Sequence, residues 1–307
     1  MARPTDIREN VPLAPFTTYR IGGPARYYAR PATREALADL LVWAHREDIP
    51  GFILGAGSNL LVSDRGYPGL VIHLQGFLGE MGEPSAEGIW EVGAGTGLFP
   101  WVRRTARRGW AGVEALIGIP GTLGGALRMN AGAFNQEISQ VLERVELIRT
   151  GGRYATPEPQ IIQIQAAEAG FAYRKAPGLE GTVILSARFR LQPGDPEKLM
   201  RQVREVVALR RNRQPLQWPS CGSVFKRPPN DFAGRLIEAA GFKGFQLGGA
   251  QVSPRHAGFI LNTGGATAAD VLNLIKRIIQ TVRDNSGVTL EREVILVGFD
   301  DDELAGT

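Results

Sequence analysis

Apolar residues along this chain recur with two periods, and the alternation between them predicts its elements. In TREALADLLVWAHRED, Leu37, Leu40, Leu41 and Ala44 repeat at helical spacing behind Thr33, whose hydroxyl suits a helix start. PWVRRTARRG reads as a second helix, with Pro100 near its first turn and Gly109 past its end. GDPEKLMRQVREVVALRRNRQ, DFAGRLIEAAG and TAADVLNLIKRIIQTVRDNSG read as further helices. The last is capped by Thr267 and turns Val271, Leu274, Ile275, Ile278 and Val282 inward. Between them lie runs with the length or alternation of strands: ARYYARP, GFIL, GLVIHL, GIWEVGAG, AGFILN and VTLEREVILVGF. VILSARFRL alternates cleanly, with Leu185, Ala187, Phe189 and Leu191 on one face. VELIRTGGRYAT predicts a hairpin through Gly151 and Gly152, and PLQWP marks a boundary. Together these predict an α+β chain. Residues 1–200 form a large glycine-punctuated domain in two α+β parts, about 1–75 and 76–200, and residues 201–307 a smaller α/β domain.

Composition narrows the class. The 307 residues are 43% hydrophobic and 21% charged, ordinary for a soluble globular protein. No apolar run is long enough to span a membrane, and MARPTDIRENVPLAPF lacks the apolar core of a signal peptide. A single cysteine, Cys221, excludes an internal disulfide framework and a cysteine-based metal site. These features predict a cytoplasmic protein without a structural metal. The net charge of +4 admits nucleic acid or small anions as partners. Its arginines cluster at Arg103, Arg104, Arg107 and Arg108, then at Arg210, Arg211 and Arg213, near predicted helix ends where cations favour the dipole. No aromatics are interleaved with them to stack bases, so a nucleic-acid surface is not expected.

Two glycine-rich loops stand out. LIGIPGTLGGALRMNAGAF carries Gly118, Gly121, Gly124, Gly125 and Gly132 with Arg128 as its one charge. GAGSNLL follows the predicted strand GFIL directly. Glycine lets backbone N–H groups approach a ligand closely, and successive N–H groups can cradle an anion, so a diphosphate is the natural guest. The common dinucleotide fingerprint does not fit. GAGSNL lacks its third small residue, and no GxxxxGK[ST] exists. The remaining choices are a tight packing turn or a cofactor held by backbone atoms outside the Rossmann class.

YRIGGPARYY, LGAGSNLLVSD, GIPGTLGGALRMNAGAF, PSCGSVFKRP, VSPRHAGFILN and LEREV occur in this order. Together they closely resemble the UDP-N-acetylenolpyruvoylglucosamine reductases, from about Asn10 to Gly298. The resemblance implies a two-part FAD-binding domain of the vanillyl-alcohol-oxidase/PCMH-like superfamily, followed by a C-terminal substrate domain. It implies non-covalent FAD, NADPH as hydride donor and a nucleotide-sugar substrate in peptidoglycan synthesis, with the cell-shape, division and cell-cycle links of that pathway. No nucleic acid, membrane or obligate protein partner is implied. The cofactor residues it carries over are Ile21, Gly22 and Gly23; Gly55, Ala56, Gly57, Ser58, Asn59 and Leu60; then Gly118, Ile119, Pro120, Gly121, Thr122, Gly124, Gly125, Ala126, Asn130 and Ala131.

In that family, flavin delivers hydride to an enolpyruvyl alkene. The negative charge that appears beside the carboxylate needs stabilisation and a proton donor. Ser223 in CGSVFK matches the donor, Arg174 in FAYRKA the arginine beside the nascent charge, and Glu293 in LEREV the acidic partner. Read without the resemblance, these are a turn serine, a solvated loop arginine and an exposed strand carboxylate. Glu293 is expected to share its strand face with Ile295 and Val297. Tyr173, Lys226 and His256 are candidate substrate contacts; His256 also reads as an ordinary structural histidine, and Cys221 as packing. KAPGLEG after Arg174 departs from the family pattern, as does Arg227, where Asn is frequent. Only 48 residues separate Arg174 from Ser223, which resembles the short form without the long form's inserted clamp. A flavin oxidase of the same superfamily, or a non-catalytic nucleotide-sugar sensor, are the alternative readings.

Overall fold

The structure is a computed structural model that describes Pro4 and residues 6–307. Part of the amino-terminal stretch weighed as a leader, Met1–Arg3 and Thr5, therefore lies outside the described residues. The chain divides into two compact units. The first comprises residues up to Glu9, Tyr27–Ala56 and Gly69–Arg210; the second comprises Asn10–Arg26, Gly57–Pro68 and Arg211–Thr307. The break expected near residue 200 thus falls at Arg210, and two short early segments join the C-terminal unit. Among the described residues no helix is long and apolar enough to cross a membrane.

The early strands are β1 (Arg8–Pro12), β2 (Pro24–Ala29), β3 (Gly51–Leu54), β4 (Leu60–Val62) and β5 (Tyr67–His73). One four-stranded sheet has the order β1-β2-β5-β3, and β3 and β5 run parallel with Leu54 opposite His73. Helix α1 (Arg34–Arg46) begins where Thr33 accepts a hydrogen bond from the Ala36 N–H at 3.1 Å. It buries Leu37, Leu40, Leu41 and Ala44 against Leu70, Ile72, Val183 and Leu185, as its period requires.

The second sheet of this unit is antiparallel. Its order is Ile161–Gln165, Leu142–Arg149, Thr182–Arg190 and then β6 (Ile89–Gly93). Along Thr182–Arg190, Val183, Leu185, Ala187 and Phe189 are buried while Arg188 and Arg190 face outward. The hairpin expected at Gly151 and Gly152 closes differently. Leu142–Arg149 pairs with Ile161–Gln165, with Ile148 opposite Ile161. The intervening residues go to β3 and α1, where the Arg153 carbonyl accepts from the Gly51 N–H at 2.7 Å and the Thr156 N–H donates to Leu41. Helix α2 (Leu98–Arg107) packs Trp101 on Phe189 at 4.6 Å between ring centroids. Helices α3 (Leu123–Arg128) and α4 (Pro196–Arg213) complete the unit.

In the second unit, α5 (Ala233–Ala239) and α6 (Ala268–Ser286) pack over a core that includes Val224, Phe225, Ile260 and Val294. Thr267 and Asp270 form a reciprocal capping box at the start of α6. β4 pairs in parallel with the C-terminal strand Ile295–Val297. That strand is far shorter than VTLEREVILVGF predicts. The preceding backbone is taken elsewhere: Arg292 bridges Phe225, and the N–H groups of Glu293 and Val294 both donate to the Val224 carbonyl. Glu293 therefore precedes the strand, and Ile295 is exposed, so the apolar strand face expected around Glu293 does not form.

Candidate active site

The first unit brings two predicted loops together. β3 ends at Leu54, and a Cβ added to the next residue, Gly55, would lie 2.6 Å from the Thr122 hydroxyl oxygen. Thr122 caps α3, accepting from the Gly125 N–H at 3.4 Å. The glycines divide by role. Gly124 donates its N–H to the Ala94 carbonyl at 2.8 Å, and a Cβ there would meet Ala94 at 3.2 Å, so Gly124 is a packing residue. A Cβ on Gly125 would meet only the Thr122 hydroxyl, at 3.6 Å. Among the described residues the N–H groups of Ala56 and Gly121 have no acceptor. Ile119 and Pro120 connect Gly118 to Gly121, and Ala131 closes back on Ala126 through a 2.8 Å backbone bond.

Arg210, near the end of α4, adds a cation. A Cβ on Gly118 would sit 2.8 Å from its Cδ, and its guanidinium lies 5.8 Å from the Phe134 ring centre. Burial holds its pKa below the usual arginine value, and its Nε has no hydrogen-bond partner among the described residues. Two unused amides, an open glycine face and an unsatisfied buried guanidinium nitrogen fit a backbone-held diphosphate. In the sequence, Arg210 stands out only as part of a helix-end cluster. The burial of its Nε without a hydrogen-bond partner is a tertiary property with no local signal.

Arg174 sits at the tip of a tight turn closed by paired backbone bonds between Ala172 and Lys175, each 3.0 Å. Its φ of 55° is left-handed, unusual for a residue with a side chain. Its Nη2 donates to the Gly132 carbonyl at 3.1 Å, and its guanidinium covers the Tyr173 ring at 4.9 Å. Tyr173 is exposed. Asn130, expected near the cofactor, is buried, and both N–H groups of its side chain are used inside the protein. Nδ2 donates to Glu137 Oε2 at 2.8 Å and to the Ala172 carbonyl at 3.1 Å, while Oδ1 accepts from the Ser139 N–H at 3.4 Å.

The second unit gathers Ser223, Glu293 and His256. Ser223 bridges Phe259, the Val224 N–H donates to the Gly258 carbonyl at 2.9 Å, and the Val224 carbonyl accepts the Glu293 N–H at 2.8 Å. Ser223 and Glu293 thus stand on adjacent extended segments. The Ser223 hydroxyl has no protein partner among the described residues. His256 accepts the Gly258 N–H at Nδ1, 3.1 Å away, and burial lowers its pKa, so the neutral ring carries its proton on Nε2. This bond supports the turn beside Ser223. Lys226 is ion-paired with Glu291 and mostly buried. Asn59 donates to the Glu293 carbonyl at 3.0 Å and accepts from the Ile295 N–H at 3.0 Å, tying the Gly57–Leu60 loop to the acidic residue. Ser58 sits half-buried in the turn before Asn59, and Leu60 opens β4. A Cβ on Gly57 would lie 2.2 Å from the Phe16 carbonyl, and one on Gly22 would lie 2.9 Å from Val62 Cβ. Gly23 donates to Ser63 at 2.9 Å and Ile21 is buried, so these glycines permit close backbone packing.

Residues 25–156 match the profile of an FAD binding domain. With the glycine loops that line it, this defines an FAD-binding oxidoreductase of α+β architecture. Residues 214–297 match the C-terminal domain of UDP-N-acetylenolpyruvoylglucosamine reductase. The enzyme of that name from Gloeobacter violaceus is 41% identical over 295 residues, covering 95% of this chain and 96% of that one. Its counterpart from Prochlorococcus marinus is 44% identical over 292 residues, covering 94% and 93%. The crystal structure of the Thermus caldophilus reductase aligns with a TM-score of 0.78 at 37% identity, over 95% of this chain and 99% of that one. The chain belongs to the UDP-N-acetylenolpyruvoylglucosamine reductase family.

Proposed function

We propose that this chain reduces UDP-N-acetylglucosamine enolpyruvate to UDP-N-acetylmuramate in peptidoglycan synthesis, with NADPH as the reductant, and that Arg174, Ser223 and Glu293 are its catalytic residues. The chemistry supplied by bound FAD is hydride transfer to the terminal alkene carbon. Ala56, Gly121, Gly125 and Arg210 would hold the cofactor's diphosphate. Arg174 faces the charge that develops beside the substrate carboxylate. Ser223 gives its proton to the neighbouring carbon, so that one hydride and one proton saturate the alkene. Glu293, on the segment next to Ser223, supplies an ionisable group beside the same carbon. Tyr173, exposed next to Arg174, is offered to the substrate. Lys226 meets a phosphate only by exchanging Glu291, and His256 acts through the turn that carries Ser223. The reading implies small-molecule partners, a cytoplasmic location and a role in cell shape and division.

The observation that carries this reading is the Ser223 hydroxyl, which has no partner among the described residues and stands beside the backbone segment that presents Glu293. Ser223→Ala tests it, because the proton it donates is needed only after the flavin has been reduced. In anaerobic stopped flow, flavin reduction by NADPH should stay near the wild-type rate. Reoxidation by the enolpyruvyl substrate should slow by roughly 10²–10⁴-fold. Equal slowing of both steps would show that Ser223 supports the flavin site or the fold instead.

A further inference from the structure

We infer that Asn130 is a positioning residue for Arg174: its amide holds the arginine turn against the glycine segment instead of contacting the flavin. The inference rests on Arg174 being the catalytic arginine. A primary amide offers two N–H donors and one carbonyl acceptor. Asn130 spends one donor on Glu137 and the other on Ala172, and its carbonyl on Ser139. Neither N–H is left over for a cofactor. The Ala172 bond matters most, because Ala172 is the base of the two-way backbone closure that sets the Arg174 tip.

Two further observations point the same way. Arg174 returns to the same segment through its 3.1 Å bond to Gly132, two residues beyond Asn130, so the turn is pinned at its base and at its tip. Asn130 and Arg174 both hold left-handed backbones, φ 40° and 55°, which persist only where surrounding contacts over-determine them. Glu137 orients the amide: its carboxylate accepts from Nδ2 and so fixes which end of Asn130 faces Ala172. A displacement of the guanidinium by about 1 Å is enough to cost of order 10²-fold in rate.

The test uses a pair of substitutions that restores one bond and not the other. In Asn130→Asp with Glu137→Gln, the glutamine amide donates to the new carboxylate, which remakes the bond between positions 130 and 137 in reverse. The Ala172 carbonyl then keeps the Lys175 N–H but loses its side-chain donor and faces a carboxylate. The pair should recover most of the melting temperature and flavin affinity that Asn130→Asp alone loses. Reoxidation of reduced flavin by substrate should remain slow by roughly 10–100-fold, with reduction by NADPH unaffected. Arg174→Ala is the control. If it slows reoxidation while the double variant reoxidises at the wild-type rate, the positioning role is overturned. If Arg174→Ala itself reoxidises normally, the assignment of Arg174 fails, a distinct result. Should the double variant not hold flavin, Asn130→Asp read across pH decides the matter. The protonated acid can donate to Ala172, so reoxidation should recover on the acid side, and a pH-independent loss overturns the inference.

Discussion

His73 should make the first unit acid-sensitive over a defined range. It ends β5 directly opposite Leu54, the last residue before the Gly55 loop, and is 3% exposed. The Tyr28 hydroxyl lies 2.6 Å from its Nδ1, with the rings edge to face. The Arg8 guanidinium covers the Tyr28 ring at 4.9 Å. Burial, then the nearby positive charge of Arg30, lower the His73 pKa from 6.5 to about 4; bonds to Gln75 and to the Gly55 backbone offset them only in part. The unfolded ring takes its proton near 6.5, whereas the folded ring resists it until about 4. In that window the unfolded chain binds more protons, so stability is fully present above pH 6.5 and is lost as pH falls toward 4. From these two values, the loss between neutral pH and about pH 4.5 is roughly 2–3 kcal/mol. His73→Gln keeps a partner for Tyr28 and cannot charge. Urea unfolding of apoprotein, followed by tryptophan fluorescence, reads mainly this unit, because Trp43, Trp90, Trp101 and Trp110 belong to it. Using apoprotein removes the linkage of flavin binding. Carboxylate titration is common to both proteins and cancels in their difference, so the wild type should lose about 2–3 kcal/mol relative to His73→Gln across the window. Parallel stability curves would show that His73 charges in the folded state as easily as in the unfolded chain, and the burial argument would be wrong.

Gly125→Val should raise the flavin Kd at least tenfold, about 1.4 kcal/mol, with little change in apoprotein stability, because its side chain enters the open face. Gly124→Val should instead lower apoprotein stability, since the new side chain collides with Ala94; thermal melts and flavin titration of both variants separate the two roles. Glu293→Gln should keep flavin affinity and melting temperature, because glutamine is nearly isosteric with glutamate and the backbone bonds to Asn59 and Val224 are unchanged. Its turnover should fall by roughly 10²-fold or more, and wild-type turnover would mark the carboxylate as structural.

Local rules were legible in the sequence by itself. The helical period and the Thr33 and Thr267 caps placed α1 and α6, because both depend on residues within a turn or two of each other. The alternation through Thr182–Arg190 placed a strand, but not its single buried face: the register shift opposite Glu146 and Leu147 sends Leu185 into the core under α1, while Ala187 and Phe189 join the other core of this unit. The ordered motifs carried the family and its FAD, which the relatives bear out. Tertiary structure decided the rest. Glu293 left the predicted strand because its N–H had a better acceptor in Val224, about seventy residues earlier in the chain. Gly124 and Gly125 are adjacent and chemically identical, yet one packs on Ala94 and the other faces open space. The Asn130 side chain found Ala172, Glu137 and Ser139 as partners, and the Arg210 Nε came to be buried without a partner among the described residues only when α4 laid the residue over Gly118. Each of these outcomes depends on desolvation or on a hydrogen bond between residues far apart in the chain. Neither periodicity nor composition records which distant partner will arrive.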